Sequence, residues 1–195
     1  SYPDYDTPSS SLVKIYLASE SGHAPYGVNA YVTSAFFAVD RFASYLKNWK
    51  SFYESSEDAV VICDRYVTSN MLHQTSKLPS LKEKEAFLDW EYDFEFVKGG
   101  LPIPDLVFFL DVLPDTAFRL MKDRENKITH ESEKDIHESN RDFLVKSYEN
   151  SMLVGRKYGW RNIQCCDEKG NMESVDVIHG RIREEVLREW GSHHG

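Results

Sequence analysis

Apolar positions along the chain fall into two patterns, short unbroken runs and helical spacings. Ala59-Val60-Val61-Ile62-Cys63 and Leu106-Val107-Phe108-Phe109-Leu110 are unbroken runs of strand length. Neither alternates with polar residues, so each predicts a strand buried on both faces, as in a parallel sheet. Asn162–Cys166 reads as a third, shorter strand. Helical spacing occupies the ground between. Leu12, Ile15, Tyr16 and Leu17 predict a short helix capped by Ser9 or Ser10, and Gly22–Gly27 breaks the chain after it. Val28 to about Tyr53 carries Tyr31, Ala35, Phe37, Phe42, Tyr45 and Trp49 without an internal Pro or Gly, which predicts one long helix. Ser80-Leu81-Lys82-Glu83 is a capping-box pattern, opening a helix that runs to Lys98 and stops at Gly99-Gly100. Further helices are predicted from Pro114 or Asp115 to Met121, from His137 to Tyr158 and from Met172 to Trp190. Lys122–Asp135 is charged and poor in apolar residues, and is expected to be a loop. Strands alternating with helices imply an α/β fold around a parallel sheet.

The first two runs end in charge: Asp64-Arg65 after the first and Asp111 after the second. In open parallel sheets, ligands bind beyond the carboxyl ends of the strands. A guanidinium there grips two phosphate oxygens at once, and a carboxylate can hold Mg²⁺ through water or accept a proton. An isolated Asp-Arg reads equally as a structural ion pair. Its place at a strand end, followed by Tyr66 and Ser69, favours the functional reading. Phe37 and Arg41 lie four apart and share a helix face, so a ring and a guanidinium could meet one base. Periodicity alone reads them as a core ring and a solvated cation. His130, His137 and Glu138 fit no metal-ligand spacing, and Cys165 and Cys166 read as strand residues.

Composition narrows the partners. The 195 residues carry a formal net charge of −9, which disfavours duplex nucleic acid and anionic membrane. Three cysteines are too few for a disulfide scaffold and suit a reduced, cytoplasmic setting. No apolar stretch approaches the ~20 residues of a membrane span.

Four segments, in order, resemble the thymidylate kinase (dTMP kinase) family, a branch of the P-loop nucleoside monophosphate kinases. Tyr2-Pro3-Asp4-Tyr5-Asp6-Thr7-Pro8 is similar to its F-P-x-x-x-T-P loop, and Phe36-Phe37-Ala38-Val39-Asp40-Arg41 to its L-F-x-A-x-R helix. Asp64-Arg65-Tyr66-x-x-Ser69 with His73-Gln74 resembles its D-R-Y-x-x-S…Y-Q signature. Leu101-Pro102-x-Pro104-Asp105-Leu106 through Asp111-Val112 resembles its L-P-x-P-D-L-x-x-x-L-D-V segment.

The resemblance implies a three-layer, P-loop kinase-type parallel sheet flanked by helices, one domain over residues 1–195 with a lid loop at 122–135. It implies ATP and Mg²⁺ as cofactors, dTMP as acceptor, dTDP as product and a homodimer. Phe37 would stack on thymine and Arg41 would bond its carbonyl edge. Tyr2 would line the same site. Arg65 would hold the dTMP phosphate, Asp64 would serve the Mg²⁺–phosphate arrangement, and Arg124 would reach the transferring phosphoryl group. Gln74 would face the base, with Asn70 where the family often has Ser or Thr. His73 stands where the family has the Tyr that excludes a ribose 2′-OH, and Tyr5 where many members have a phosphate-binding Arg. The motif G-x-x-x-x-G-K-[ST], which cradles ATP phosphates, does not occur in the 195 residues. They are therefore expected to be the remainder of a longer protein, inactive and poor in dTMP binding by themselves. A deoxynucleoside kinase, or a nucleotide-binding domain without catalysis, stands as the alternative.

Overall fold

The structure is a computed structural model. It describes residues 1–20, 29–128 and 134–194, which fall into two compact units, Ser1–Ile103 and Pro104–Gly195. The expected break at Gly22–Gly27 lies outside the described residues.

The first unit is helical. A short 3-10 turn at Pro8–Ser10 leads into α1 (Ser11–Glu20). The predicted long helix is present as α2 (Ala30–Ser44), a wider π-helical stretch at Tyr45–Trp49, and α3 (Lys50–Tyr53). Asn29 caps α2, its side-chain oxygen accepting the Tyr31 N–H at 2.8 Å. Next come α4 (Val67–Thr75) and α5 (Leu81–Tyr92), the latter prolonged by a π-helical stretch at Asp93–Lys98. Ser80 caps the helix as predicted, its Oγ accepting from Glu83 N–H, while the Glu83 carboxylate accepts the Ser80 hydroxyl in place of the backbone N–H that a full capping box would use. α5 stops where expected, because Gly100 adopts a left-handed φ of 67°. A methyl at Gly99 would overlap the Phe42 ring, so α2 and the end of α5 touch there. α2 packs against α1, α4 and α5 around Val13, Ala38, Val67, Met71, Phe87 and Leu88, all buried.

The predicted strand at Ala59–Cys63 does not form. The segment is extended but joins no ladder, and Val60 and Ile62 are 54% and 92% exposed. An apolar run becomes a buried strand only when neighbours occupy both its edges and faces. Ala59 N–H closes a local turn onto Ser56 O at 3.1 Å, and just past the segment Tyr2 N–H donates to Asp64 O at 3.0 Å.

The second unit holds the sheet. β1 (Phe108–Asp111) runs parallel to β2 (Arg161–Gln164), with Phe108 opposite Arg161 and Asp111 opposite Gln164. Two helices that pack on each other lie between them in the chain, α6 (Pro114–Ile128) and α7 (Lys134–Tyr158). α8 (Val175–His194) packs on β2. α8 starts later than expected, because Met172 bridges to Cys166 and Ser174 Oγ accepts the Val177 N–H at the helix start. α6 runs past Met121, so residues 122–128 of the expected loop are helical. Lys, Arg and Glu are good helix formers even where apolar periodicity has stopped. Residues 129–133 lie outside the description.

The molecule is thus an α/β protein, mostly helical with a small parallel sheet. Among the described residues, no helix is long and apolar enough to cross a membrane.

Candidate functional site

The loops and helices of the first unit line a small, partly open cleft. α2 contributes Phe37 and Arg41, one turn apart on the same face. α4 contributes Ser69, Asn70, His73 and Gln74, again a single face. The N-terminal loop adds Tyr2 and Pro3, and the turn before α4 adds Arg65 and Tyr66. Seven sequence-predicted residues therefore meet in one place: Tyr2, Phe37, Arg41, Arg65, Asn70, His73 and Gln74. Asp64 is exposed beside Arg65 and does not line the cleft. Arg124 lies on α6 in the second unit, and its side chain is outside the description.

Each wall is fixed locally. Tyr2 Oη accepts the Trp49 indole N–H at 2.8 Å, and Tyr66 Oη donates to Pro102 O at 3.0 Å. Burial pushes the pKa of both phenols up, so both stay neutral. The N-terminal loop is tied to α2 through Asp40, which is 1% exposed. Asp40 accepts from Asp4 N–H at 2.8 Å, Ser9 Oγ at 2.7 Å and Thr7 Oγ1 at 3.4 Å. Phe37 meets the Tyr16 ring edge-on at 6.2 Å and stays half-buried.

Arg65 sits at the rim with φ 62°, a left-handed backbone on a non-glycine residue. That conformation costs about 1–2 kcal/mol, and such outliers concentrate where a side chain must be aimed. His73 is held neutral: burial first, then the Arg65 and Lys77 cations, lower its pKa to about 4.

Arg41 is not the solvated cation that periodicity allows. It is 2% exposed and forks onto Glu95, Nε donating to Oε2 at 2.6 Å and Nη2 to Oε1. Glu91 Oε1 stands 4.0 Å from the same Nη2. Asn70 Nδ2 donates to Ser34 O at 3.2 Å. Gln74 is 5% exposed, and its side-chain carbonyl oxygen has no hydrogen-bond partner among the described residues. Sequence reasoning missed Asp40, Glu91 and Glu95. The available signals were a charged pair, Asp40-Arg41, inside an otherwise apolar helix, and two acids four apart on the predicted helix at 80–98.

The cleft's motif residues all lie within residues 2–156, and that stretch matches the thymidylate kinase family. The chain belongs to that family. Among curated proteins, a probable thymidylate kinase of Methanococcus aeolicus is 25% identical over 154 residues, covering 77% of this chain and 66% of that protein. The thymidylate kinase of Rickettsia rickettsii (strain Sheila Smith) is 34% identical over 68 residues, covering 35% of this chain and 30% of that protein. The Rickettsia africae protein of the same name matches to the same extent. The chain thus spans less than two thirds of the thymidylate kinases it matches. The family match embraces the cleft-lining unit and the second unit from β1 into α7, and stops before β2.

Proposed function

We propose that this protein transfers the γ-phosphoryl group of ATP to dTMP, giving dTDP and ADP, and that the cleft of the first unit is the dTMP site. The observation that carries the reading is the unpartnered, buried Gln74 carbonyl set in one cleft with Arg41, Phe37 and Arg65. A buried acceptor without a partner calls for a donor from a ligand. Thymine offers an imide N–H flanked by carbonyls, which suits Gln74 and the Arg41 guanidinium together, while Phe37 supplies a face for stacking. Arg65 at the rim suits a phosphate.

The chemistry favours a monophosphate over a nucleoside acceptor. A phosphate oxygen is already anionic at neutral pH, whereas a sugar hydroxyl needs a base. Among the described residues lining the cleft there is no carboxylate, and His73 is a poor base with its lowered pKa. In this reading Asn70 and His73 flank the base and sugar and Tyr2 closes the near wall, while the family resemblance assigns the transferring phosphoryl group to Arg124. ATP would bring Mg²⁺ with it. Among the described residues no group of three or more His, Cys, Asp or Glu could hold a metal. One exposed carboxylate, Asp64, fits an ion held chiefly by phosphate oxygens and water.

The protein is further read as a cytoplasmic homodimer. Its three cysteines are free thiols. Val32, Val39 and Leu46 recur every seventh position along α2 and its extension, 46%, 46% and 66% exposed, a stripe that a second copy would cover. Sedimentation of Val39→Glu/Leu46→Glu as a monomer would support this, and an unchanged mass would remove it.

The deciding experiment uses the protein expressed from its complete reading frame. Calorimetry should show dTMP binding at least about tenfold tighter than dCMP, whose ring lacks the imide N–H. A coupled assay should show ADP release that depends on dTMP. Equal binding of dTMP and dCMP, or ADP release driven by thymidine instead, would overturn the assignment.

A further inference from the structure

Behind the polar wall of the cleft, α5 places two acids against one cation. Glu91 and Glu95 are four residues apart and so share a helix face. Both are fully buried, and Arg41 is 2% exposed. Two ionised carboxylates and one guanidinium would leave a net negative charge out of water, which is costly. The other titratable side chains facing Arg41 are Tyr2 from the N-terminal loop and Tyr66 from the turn before α4, both neutral phenols that add no charge. The cluster balances with one shared proton.

The geometry says where that proton sits. Glu95 takes the bidentate fork of Arg41. Glu91 accepts no hydrogen bond of ordinary geometry, but its carboxyl comes within reach of Glu95 and Asn70; two carboxylates repel at that contact, whereas a Glu91 O–H can donate to the Glu95 carboxylate. Resting on the dTMP reading above, we infer that Glu91 and Glu95 act as a one-proton counter-ion pair that positions Arg41. Glu95 holds the guanidinium by Nε and Nη2, leaving Nη1 for a ligand carbonyl. Glu91 stays neutral and takes over the negative charge when Glu95 cannot carry it. The burial of Glu91 and the neighbouring Glu95 charge push its pKa up to about 9, in keeping with the neutral form. Both acids are positioning residues that act through Arg41.

The reserve role sets this pair apart from an ordinary buried ion pair, and a mutant cycle reads it. In the E95Q background, E91Q should weaken dTMP binding about tenfold more than it does in the wild-type background, because the double variant leaves Arg41 without a counter-ion. Infrared spectra give a second readout that needs no ligand and no double variant. At neutral pH, the wild-type-minus-E91Q difference should contain the C=O stretch of a protonated carboxyl. E95Q should lose that band, since Glu91 then ionises. Equal effects of E91Q in the two backgrounds, or a wild type without the Glu91 acid band, would overturn the inference. A wild type that shows the band but binds no dTMP would overturn the thymine reading and leave the charge pairing standing.

Discussion

Two arginines line the same cleft and are held there by opposite means. Arg41 is buried in the floor, and charge fixes it: Glu95 grips it and Glu91 stands by. Arg65 is exposed at the rim, and backbone fixes it: a left-handed turn aims the side chain, with no buried ion-pair partner among the described residues. A buried cation must be neutralised by the protein whether or not a ligand is present. A rim cation is hydrated until a ligand arrives, and its charge stays available for an incoming anion. The floor is therefore suited to reading a neutral ring, the rim to gripping a phosphate.

The sharpest break in this contrast comes from removing each guanidinium. Arg41→Ala should lower folding stability by about 3–5 kcal/mol, because it strands buried carboxyls, and chemical denaturation measures that loss. Arg65→Ala should change stability by no more than about 0.5 kcal/mol in excess of its turn strain. Its effect belongs to the ligand: dTMP affinity should fall about ten- to a hundredfold while thymidine affinity barely moves, as calorimetry with both ligands would reveal. Similar losses for the two ligands would mean that Arg65 does not meet the phosphate.

Protons sharpen the contrast further. Glu91 has a folded pKa near 9 against an ordinary 4.5, so between these values the folded state holds a proton that the unfolded state has released. Its contribution is full below pH 4.5 and is lost as pH rises, at up to about 1.4 kcal/mol per pH unit. Glu91→Gln should therefore gain stability relative to wild type between pH 5 and pH 8, followed by melting temperature. His73 has the reverse sign: its pKa falls from 6.5 to about 4, so its contribution is present above pH 6.5 and lost as pH drops toward 4. Over pH 4.5–6.5 the two slopes oppose each other, and His73→Gln should steepen the wild type's decline with rising pH. The smallest effect concerns the rim backbone. Arg65→Gly should be more stable than Arg65→Ala by about 1 kcal/mol, since glycine accepts the left-handed φ without strain.

Legibility of the sequence followed how much of each pattern was local. The helix at 80–98 was readable because its cap, periodicity and glycine stop all lie within it. The cleft was readable because α2 and α4 each present their residues on one face at turn spacing. The two apolar runs look alike, yet only the one ending at Asp111 becomes a strand. It finds Arg161–Gln164 alongside, while Ala59–Cys63 finds no partner strand among the described residues. Pairing is a property of what lies beside a segment, which composition does not contain. Glu91 and Glu95 escaped notice for the same reason: acids on a helix read as solvated until the arginine opposite them is placed.

The anchoring of the N-terminal loop to Asp40 has a mechanical consequence. Asp40 and Arg41 are consecutive, so one turn of helix ties down the N-terminal loop with its first residue and sets the buried cation with its second. A displacement of that turn would move the N-terminal loop and the cation together.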